Sequence, residues 1–415
     1  MNAPFSAEEF YLRCADYLAE LKQAQDLDAV HRLWTSTKIE YHMEPIDPYS
    51  LEYRNNVLAT YNRLAGREYK AVNELTSVKQ SVESFQIGYP WISKNCRIAA
   101  EELAKVVQAL NALASYPDNV RSVIEFGSGW GNLAHPLAKL GLDVTAVDID
   151  PAFLQRLELL VNHEGFRINT ISGDFLEVAA QLPNRYDVAI FESSFHHCLE
   201  FDNLVSCLYS HVLKEKGRIL FLAEPILKNY SFPWGLRYDG ESLWAIMCNH
   251  WLELGFDEDF FLAMIIRHGF FVRRIAAIPG FVGDGWSASR CREGIAFAEC
   301  ILPSEFAQSF WDRSNDVEHG RFLRGESLLP ALQQESRYQL TINNFCVRPL
   351  RLNLRGDDDS EVYFDVPAHT IQTIIAPSSQ QKPLQLHCQT VIPDRLIQNG
   401  DQREIGVALV HLATL

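Results

Sequence analysis

Two groups of residues in this chain have types and spacing suited to chemistry. The first is Glu125 followed by three alternating glycines, Gly127, Gly129 and Gly131, in the stretch VIEFGSGWGN. Glycine lets the backbone turn sharply or lets a ligand lie directly against it. The second is a pair of adjacent histidines in the stretch ESSFHHCLE, and an imidazole titrates near neutral pH, as a general base should. The sequence therefore predicts a ligand loop and a separate proton-transfer group.

The glycine loop alone does not determine which ligand it binds. A glycine-rich turn between a strand and a helix can serve NAD, a phosphate or S-adenosylmethionine. The dinucleotide fingerprint requires GxGxxG, whereas here the glycines alternate and Asn132 stands at the sixth position. No GK[ST] follows, so the P-loop interpretation is excluded.

Three further stretches follow the loop in order. TAVDID contains Asp148, SGDF contains Asp174 and Phe175, and Glu192 ends a fourth apolar run. Together with the loop they resemble class I S-adenosylmethionine-dependent methyltransferases. The resemblance implies that the glycines approach the amino acid part of the cofactor and that Glu125 lies near its ammonium group. It also implies that Asp148 binds the ribose hydroxyls, that Asp174 with Phe175 holds the adenine, and that Glu192 belongs to the same site.

Each acid also has a simpler interpretation. Asp148 fits a dinucleotide site as well. Asp148 or Asp150 could cap the helix that begins at Pro151, and Asp174 could cap the following one.

The histidine pair follows the fourth strand, where reacting groups gather in such sheets. Methyl transfer to a hydroxyl requires that the hydroxyl lose its proton, so we expect His197 to be the base and His196 its neighbour in the site. The alternative is a structural pair with one ring packed under the sheet. No metal is expected, because no partner cluster at ligand spacing lies near the pair in the sequence.

The acceptor site is expected in the insertion after the fifth strand, AEPILKNYSFPWGLRYDGESLWAIMCNHW. Aromatic faces with acids and an arginine suit a sugar. The expected acceptor residues are Glu224, Trp234, Arg237, Tyr238 and Asp239. The alternative is a lid whose aromatic side chains simply pack.

These residues require a parallel sheet to position them. Short apolar runs alternate with helical stretches, which predicts strands at 123–126, 144–149, 169–172, 187–192 and 218–223. Beyond them, FFVRRIAAI and GIAFAECIL are predicted as an antiparallel pair at the edge of the sheet.

The fold class is therefore α/β: a doubly wound, Rossmann-like methyltransferase sheet with an N-terminal helical region and a C-terminal all-β sandwich. The predicted limits are 1–115 for a helical cap, 116–302 for the methyltransferase domain, 303–335 for a helical connector and 336–415 for the sandwich. Tyr89 and Trp91, just before the last helix of the cap, are expected to cover the cofactor.

The last strand carries a D-x-R-x-[LI]-G pattern through Asp401, Arg403, Ile405 and Gly406. It resembles small β-domains appended to bacterial surface-glycan assembly enzymes, which favours a sugar acceptor. A structural sandwich, or one through which a homo-oligomer forms, is an equal alternative.

Composition limits the partners. The 37 basic and 53 acidic residues give a net charge of −16, which argues against nucleic acid. Nine cysteines without CxxC spacing, no signal-like start and no run long enough for a membrane span predict a cytoplasmic protein.

The sequence thus predicts an O-methyltransferase that acts on a sugar hydroxyl of a nucleotide-linked, lipid-linked or polymeric glycan. A methyltransferase of a small secondary metabolite is one alternative, favoured by a closed apolar pocket. A non-catalytic scaffold that binds the cofactor is the other.

Overall fold

The structure is a computed structural model of the chain. It describes residues 6–415 apart from 26, 42–45, 76–95, 117–118, 184, 291–294, 312–320, 334–336, 393–402 and 404. Among the described helices, none combines the length and the hydropathy that a membrane span requires.

A seven-stranded, mostly parallel sheet forms the centre of the molecule, in the order β3-β2-β1-β4-β5-β10-β9. The first five strands pair in parallel and the last two are antiparallel. Their ranges are Ser122–Phe126 (β1), Asp143–Asp148 (β2), Asn169–Ser172 (β3), Tyr186–Glu192 (β4), Leu213–Leu222 (β5), Phe270–Ile275 (β9) and Gly285–Arg290 (β10). The five predicted parallel strands and the Rossmann-like arrangement are confirmed.

Helices lie on both faces of this sheet. Neighbouring residues of β1, Val123 and Ile124, belong to two different hydrophobic clusters, because successive side chains of a strand point to opposite faces. Both faces are therefore apolar and covered, as expected for a parallel sheet. The helices are Cys96–Ala114, Ala134–Lys139, Pro151–Glu164, Phe175–Gln181, Phe201–Cys207 (continued by a π-helical turn, Leu208–Val212) and Glu258–Arg267.

The antiparallel edge of the sheet differs from the prediction. FFVRRIAAI does form β9, but its partner is β10, the stretch GWSASR that the sequence analysis treated as the link. The stretch GIAFAECIL instead gives β11 (Ile295–Ala296), which pairs with the last strand of the chain, and a short 3-10 turn. The prediction was wrong because β10 is buried along most of its length although Trp286 is its single large apolar residue, so it lacks the usual apolar pattern.

The N-terminal segments are helical and pack on the insertion that follows β5. Their helices are Ala7–Gln23, Leu27–Ser36 and Leu51–Ala65, followed by a 3-10 turn, Ala71–Glu74. The hydroxyls of Tyr17 and Tyr53 donate hydrogen bonds to the carbonyls of Gly240 (2.7 Å) and Trp234 (2.5 Å) in the insertion. The insertion contributes β6 (Ile226–Leu227) and β7 (Trp234–Leu236) to a small sheet with β8 (Leu254–Asp257), which follows it. It also contains a helix at Gly240–Trp244 and a π-helical turn at Ala245–Asn249.

Two antiparallel sheets form the C-terminal part. One contains β12 (Phe310–Trp311), β13 (Arg321–Leu323), β20 (Ala408–Thr414), β15 (Arg337–Asn344) and β18 (Thr370–Ser378), with β11 added to β20. The other contains β14 (Glu326–Leu329), β19 (Leu384–Cys388), β16 (Leu350–Arg355) and β17 (Glu361–Val366). The expected helical connector at 303–335 is wrong for the described residues. They contain one short helix, Ser304–Ala307, and three strands that complete these sheets.

Candidate active site

The glycine loop follows β1 at the carboxyl end of the sheet. Gly127, Gly129 and Gly131 have φ angles of 76°, 46° and 75°, a region that other residues rarely adopt. A Cβ added to Gly127 would lie 2.5 Å from the Cβ of Ser194, whereas one added to Gly129 would meet nothing within 4 Å. The loop is therefore closed by packing at Gly127 and open at Gly129, where a ligand can lie against the backbone.

Asp148 ends β2 and holds the loop in place. Its two carboxylate oxygens accept hydrogen bonds from the N–H groups of Gly129 (2.8 Å) and Asp150 (2.9 Å). Burial raises the pKa of Asp148 above its usual value, although these two N–H groups oppose the shift. Each carboxylate oxygen can accept two hydrogen bonds, so Asp148 keeps one acceptor position on each oxygen for a pair of hydroxyls.

Asp174 and Phe175 lie at the start of the helix after β3. Oδ1 of Asp174 accepts hydrogen bonds from the N–H groups of Leu176 (2.9 Å) and Glu177 (3.3 Å), so the capping role weighed from the sequence is present. This cap uses only one carboxylate oxygen. The helix after β2 is capped by Asp150, whose side chain accepts a hydrogen bond from the N–H of Ala152.

Glu125 and Glu192 lie at the ends of β1 and β4, behind the loop. Glu125 is 2% exposed, and burial followed by the charge of Glu192 raises its pKa well above its usual value. One Glu125 oxygen is buried without a hydrogen-bond partner among the described residues. Lys105, from the helix before β1, lies 2.9 Å from Glu192 and 3.1 Å from Glu102. The sequence analysis missed Lys105 because no local pattern links that helix to β4.

A cavity of about 550 Å³ extends from the glycine loop to the N-terminal segments. Five of the predicted site residues line it: Gly127, Asp148, Asp174, Phe175 and His197. The other lining residues are mostly apolar on the sheet side and both apolar and charged on the N-terminal side. They are Arg54, Leu58, Tyr69, Lys70, Ala71, Glu74, Trp130, Ile149, Phe153, Ser193, Ser194, Cys198, Leu199, Glu200 and Trp251. One continuous cavity is therefore lined both by the glycine loop and by residues of the N-terminal segments.

The two histidines of the pair have different surroundings. Nδ1 of His197 lies 3.2 Å from Oε2 of Glu74, a residue of the N-terminal 3-10 turn. Burial lowers the pKa of His197, but the Glu74 carboxylate more than reverses this and raises it to about 9. At neutral pH the His197 ring therefore carries a proton, which makes it a poor base in this state.

His196 is buried, and its ring is bound to Glu224. The distance from Nδ1 to Oε2 of Glu224 is 2.8 Å, and the same carboxylate accepts hydrogen bonds from the N–H groups of Ser194 and Phe195. Although burial favours the neutral acid, His196 and these N–H groups hold the pKa of Glu224 below its usual range. Glu224 thus organises the loop after β4 and does not line the cavity.

The other expected acceptor residues also lie away from the cavity. Trp234 is 3% exposed and packs against Tyr53 and Phe201, and Tyr238 packs against Phe10. Asp239 caps the helix Gly240–Trp244, and Arg237 donates a hydrogen bond to Glu253 (2.7 Å). The geometry corrects the acceptor assignment, because these aromatic side chains fill the interior between the insertion and the N-terminal helices.

Glu253 is a residue that the sequence analysis missed. It precedes β8, yet Oε2 of Glu253 lies 3.6 Å from Nε2 of His196. One side-chain atom from each of His196, His197 and Glu253 lies within 4.8 Å of the others, an arrangement that could hold a metal ion. The sequence shows no third ligand near the pair because Glu253 is more than 50 positions away and only the fold brings it close.

Some expectations concern residues outside the described part of the chain. Tyr89 and Trp91, expected over the cofactor, belong to these, and so does Asp401 of the C-terminal pattern.

Comparison with known proteins gives one family match. Residues 123–217 match a family model described as a methyltransferase domain. No curated protein matches the chain by sequence.

Two solved structures illustrate the structural likeness. The chain is similar to the apo form of the S-adenosylmethionine-dependent methyltransferase SibL, with a TM-score of 0.40 and 20% identity over 68% of this chain and 70% of that one. It is similar to magnesium protoporphyrin IX methyltransferase (ChlM) from Synechocystis PCC 6803 with bound SAM, with a TM-score of 0.34 and 16% identity over 60% of this chain and 100% of that one. Both TM-scores are low, so neither likeness enters the assignment of function.

The matched residues contain the elements that place the glycine loop, Asp148, Asp174 and the histidine pair, so this part of the chain is a methyltransferase domain. The residues present fit a cationic nucleoside cofactor. The loop is open at Gly129, and the unpartnered oxygen of Glu125 offers an acceptor behind it. The protein is an S-adenosylmethionine-dependent methyltransferase.

Proposed function

We propose that the protein methylates a hydroxyl group of a small molecule that binds in the cavity between the glycine loop and the N-terminal segments. The observation that supports this most is that a single cavity is lined both by the predicted cofactor residues and by His197 with Glu74. A reacting hydroxyl placed beside His197 would therefore share one continuous space with the cofactor.

The cofactor end of the proposed site uses the residues that the sequence predicts. Gly129 would take the amino acid part against its backbone, with Glu125 and Glu192 behind it. Asp148 would accept hydrogen bonds from the ribose, and Asp174 with Phe175 would hold the adenine. When bound, S-adenosylmethionine supplies a methyl group on positively charged sulfur, and a negatively charged surrounding favours such a ligand.

The acceptor end is formed by Leu58, Tyr69, Leu199 and Trp251, with the ion pair between Arg54 and Glu200 at its side. Apolar and aromatic walls suit a small aromatic or polycyclic alcohol, and the charged side chains beside them could bind its polar substituents. This favours the small-metabolite alternative over a glycan. The glycan interpretation depended on the insertion after β5, and its five candidate residues do not line the cavity.

The base role of His197 stays a prediction. Its position at the cavity wall supports the role, and its contact with Glu74 opposes it at neutral pH because that contact stabilises the protonated ring.

We also propose a division of the chain into a helical N-terminal region (1–115), the methyltransferase domain (116–302) and a C-terminal sandwich that includes 303–335. The pairing of β12, β13 and β14 with C-terminal strands supports the wider last unit. A role of this unit in forming homo-oligomers stays a prediction.

The acceptor class is tested by following labelled methyl from S-adenosylmethionine into two panels, hydroxylated aromatic molecules and free or nucleotide-linked sugars. We expect label in the first panel, and label only in the sugars would contradict the proposal. Leu58→Trp should fill the acceptor end and raise KM at unchanged cofactor affinity. Leu12→Trp, on an N-terminal helix at a site 62% exposed, is the matched control and should change neither.

A further inference from the structure

We propose that His196, His197 and Glu253 bind a divalent transition-metal ion beside the acceptor end of the cavity. The three side chains offer two imidazole nitrogens and a carboxylate oxygen, all within 4.8 Å of one another. Ligands of one metal ion at normal bond lengths are separated by about 3–3.5 Å, so a small closure of the cluster is sufficient. The inference deepens the proposed function and rests on it only for the identity of the acceptor.

The hydrogen bonds of His196 leave its Nε2 available as a ligand. Glu224 accepts hydrogen bonds from the N–H groups of Ser194 (2.7 Å) and Phe195 (2.8 Å), which marks it as an ionised carboxylate. Nδ1 of His196 must therefore donate its hydrogen to Glu224 at 2.8 Å. In the neutral ring Nε2 then carries a lone pair, and this lone pair faces Oε2 of Glu253 at 3.6 Å. The same Oε2 accepts a hydrogen bond from Arg237 (2.7 Å), and a metal ion or a proton between it and Nε2 would satisfy both acceptors.

The Nδ1 atom of His197 also faces a glutamate carboxylate. Its Nδ1 lies 3.2 Å from Oε2 of Glu74, and Oε1 of Glu74 is fixed by the N–H of Leu252 at 2.8 Å. Histidines that bind metals almost always have their second nitrogen on a carboxylate or carbonyl, which sets the tautomer and the ring orientation. His196 meets that condition through its hydrogen bond to Glu224, whereas Nδ1 of His197 lies near Glu74 at 3.2 Å without hydrogen-bond geometry.

The charges of the cluster also favour a dication. The side chains of Glu74, Glu224 and Glu253 are 13%, 0% and 8% exposed. Among the described lysine and arginine side chains, Arg237 contacts these glutamates, through a hydrogen bond that it donates to Glu253. Metal binding requires neutral imidazoles, and three carboxylates with one guanidinium then leave two negative charges that a divalent ion would cancel; without metal, the proton on His197 offsets one of them.

The donor set selects the kind of metal. Two imidazoles and one carboxylate suit Zn²⁺, Fe²⁺, Co²⁺ or Mn²⁺, whereas Mg²⁺ and Ca²⁺ prefer oxygen ligands alone. Three protein ligands leave coordination positions open, and His197 borders the cavity, so an open position would accept the acceptor oxygen. A metal on Nε2 makes His197 a ligand and excludes it as the base.

The experiment measures metal directly. Elemental analysis of the purified full chain should find close to one transition-metal ion per chain. After removal with a chelator, added Co²⁺ should give the visible absorption of a site with nitrogen ligands. His196→Gln and Glu253→Gln should lower the metal content and the Co²⁺ absorption at least tenfold. His268→Gln, at another buried histidine that contacts a carboxylate (Asp202, 2.8 Å), is the matched control and should lower neither.

If a variant fails to fold, measurements on the wild-type protein alone still test the proposal. Wild-type protein that contains no metal as purified and gives no Co²⁺ absorption would overturn it, and the cluster would then be neutralised by protons on the histidines. Binding of S-adenosylhomocysteine is measured on the same samples. Wild-type protein that does not bind S-adenosylhomocysteine would contradict the proposed function. Wild-type protein that binds S-adenosylhomocysteine but no metal would contradict the metal site alone.

Discussion

Two glycines of the same loop should respond differently to the same substitution. Both have positive φ, which costs another residue about 1–2 kcal/mol. Gly127→Ala also places a methyl group 2.5 Å from the Cβ of Ser194, and overpacking of this kind costs about 1–3 kcal/mol more. At Gly129 the added methyl group meets nothing within 4 Å. Gly127→Ala should therefore lower the free energy of unfolding by about 2–5 kcal/mol, and Gly129→Ala by only about 1–2 kcal/mol.

Gly129→Ala, although it should have the smaller effect on stability, should have a large effect on cofactor affinity. The space at Gly129 is where we place the cofactor, so Gly129→Ala should weaken S-adenosylhomocysteine binding at least tenfold, or about 1.4 kcal/mol, while the protein stays folded. Urea unfolding followed by tryptophan fluorescence gives the first quantity, and calorimetric titration gives the second. Wild-type affinity in Gly129→Ala, or equal stability of the two variants, would refute the reasoning.

Five further variants, in three experiments, test separate parts of the site. Glu224→Gln leaves at least one buried N–H of the loop after β4 without its acceptor, so thermal unfolding should show a loss of about 1–3 kcal/mol; an unchanged melting temperature would contradict the role of Glu224. Asp174→Ala removes a helix cap worth about 0.5–2 kcal/mol and should also weaken cofactor binding. Asp174→Asn keeps the cap and should change cofactor affinity only. Thermal melting measures the first effect and calorimetric titration the second. Trp251→Ala should raise the KM of the acceptor because Trp251 lines the cavity, whereas Tyr238→Phe should not; steady-state kinetics in which Tyr238→Phe has the larger effect would argue for the sequence-based acceptor site.

The parallel part of the sheet could be predicted from the sequence because its signals are local. Each strand is a short apolar run that ends in an acid or a turn residue, and the helix at 151–164 has Asp150 and Pro151 at its start and Gly165, with φ of 83°, at its end. Strand β10 could not be recognised, because glycine, serine and alanine hold most of its buried positions and give no apolar run.

The walls of the site were harder to predict, because they depend on contacts between distant parts of the chain. Glu74 reaches His197 from the N-terminal region, and Glu253 reaches His196 from beyond the insertion. No spacing within the sequence indicates either contact. The aromatic side chains of the insertion were placed at the acceptor for their chemical type, but Trp234 and Tyr238 are needed to fill the interface with the N-terminal helices.

Calorimetric titration of S-adenosylhomocysteine tests the central claim most directly, using the wild type, Asp148→Ala and Asp143→Ala. The two aspartates begin and end the same strand, and Asp143 is exposed at the end away from the loop. Loss of hydrogen bonds to an ionised carboxylate is worth about 1.5–3 kcal/mol, so Asp148→Ala should bind roughly 10–100-fold more weakly while Asp143→Ala binds as the wild type does. Equal affinity in all three proteins, or wild-type binding of NAD in place of the nucleoside, would contradict the account.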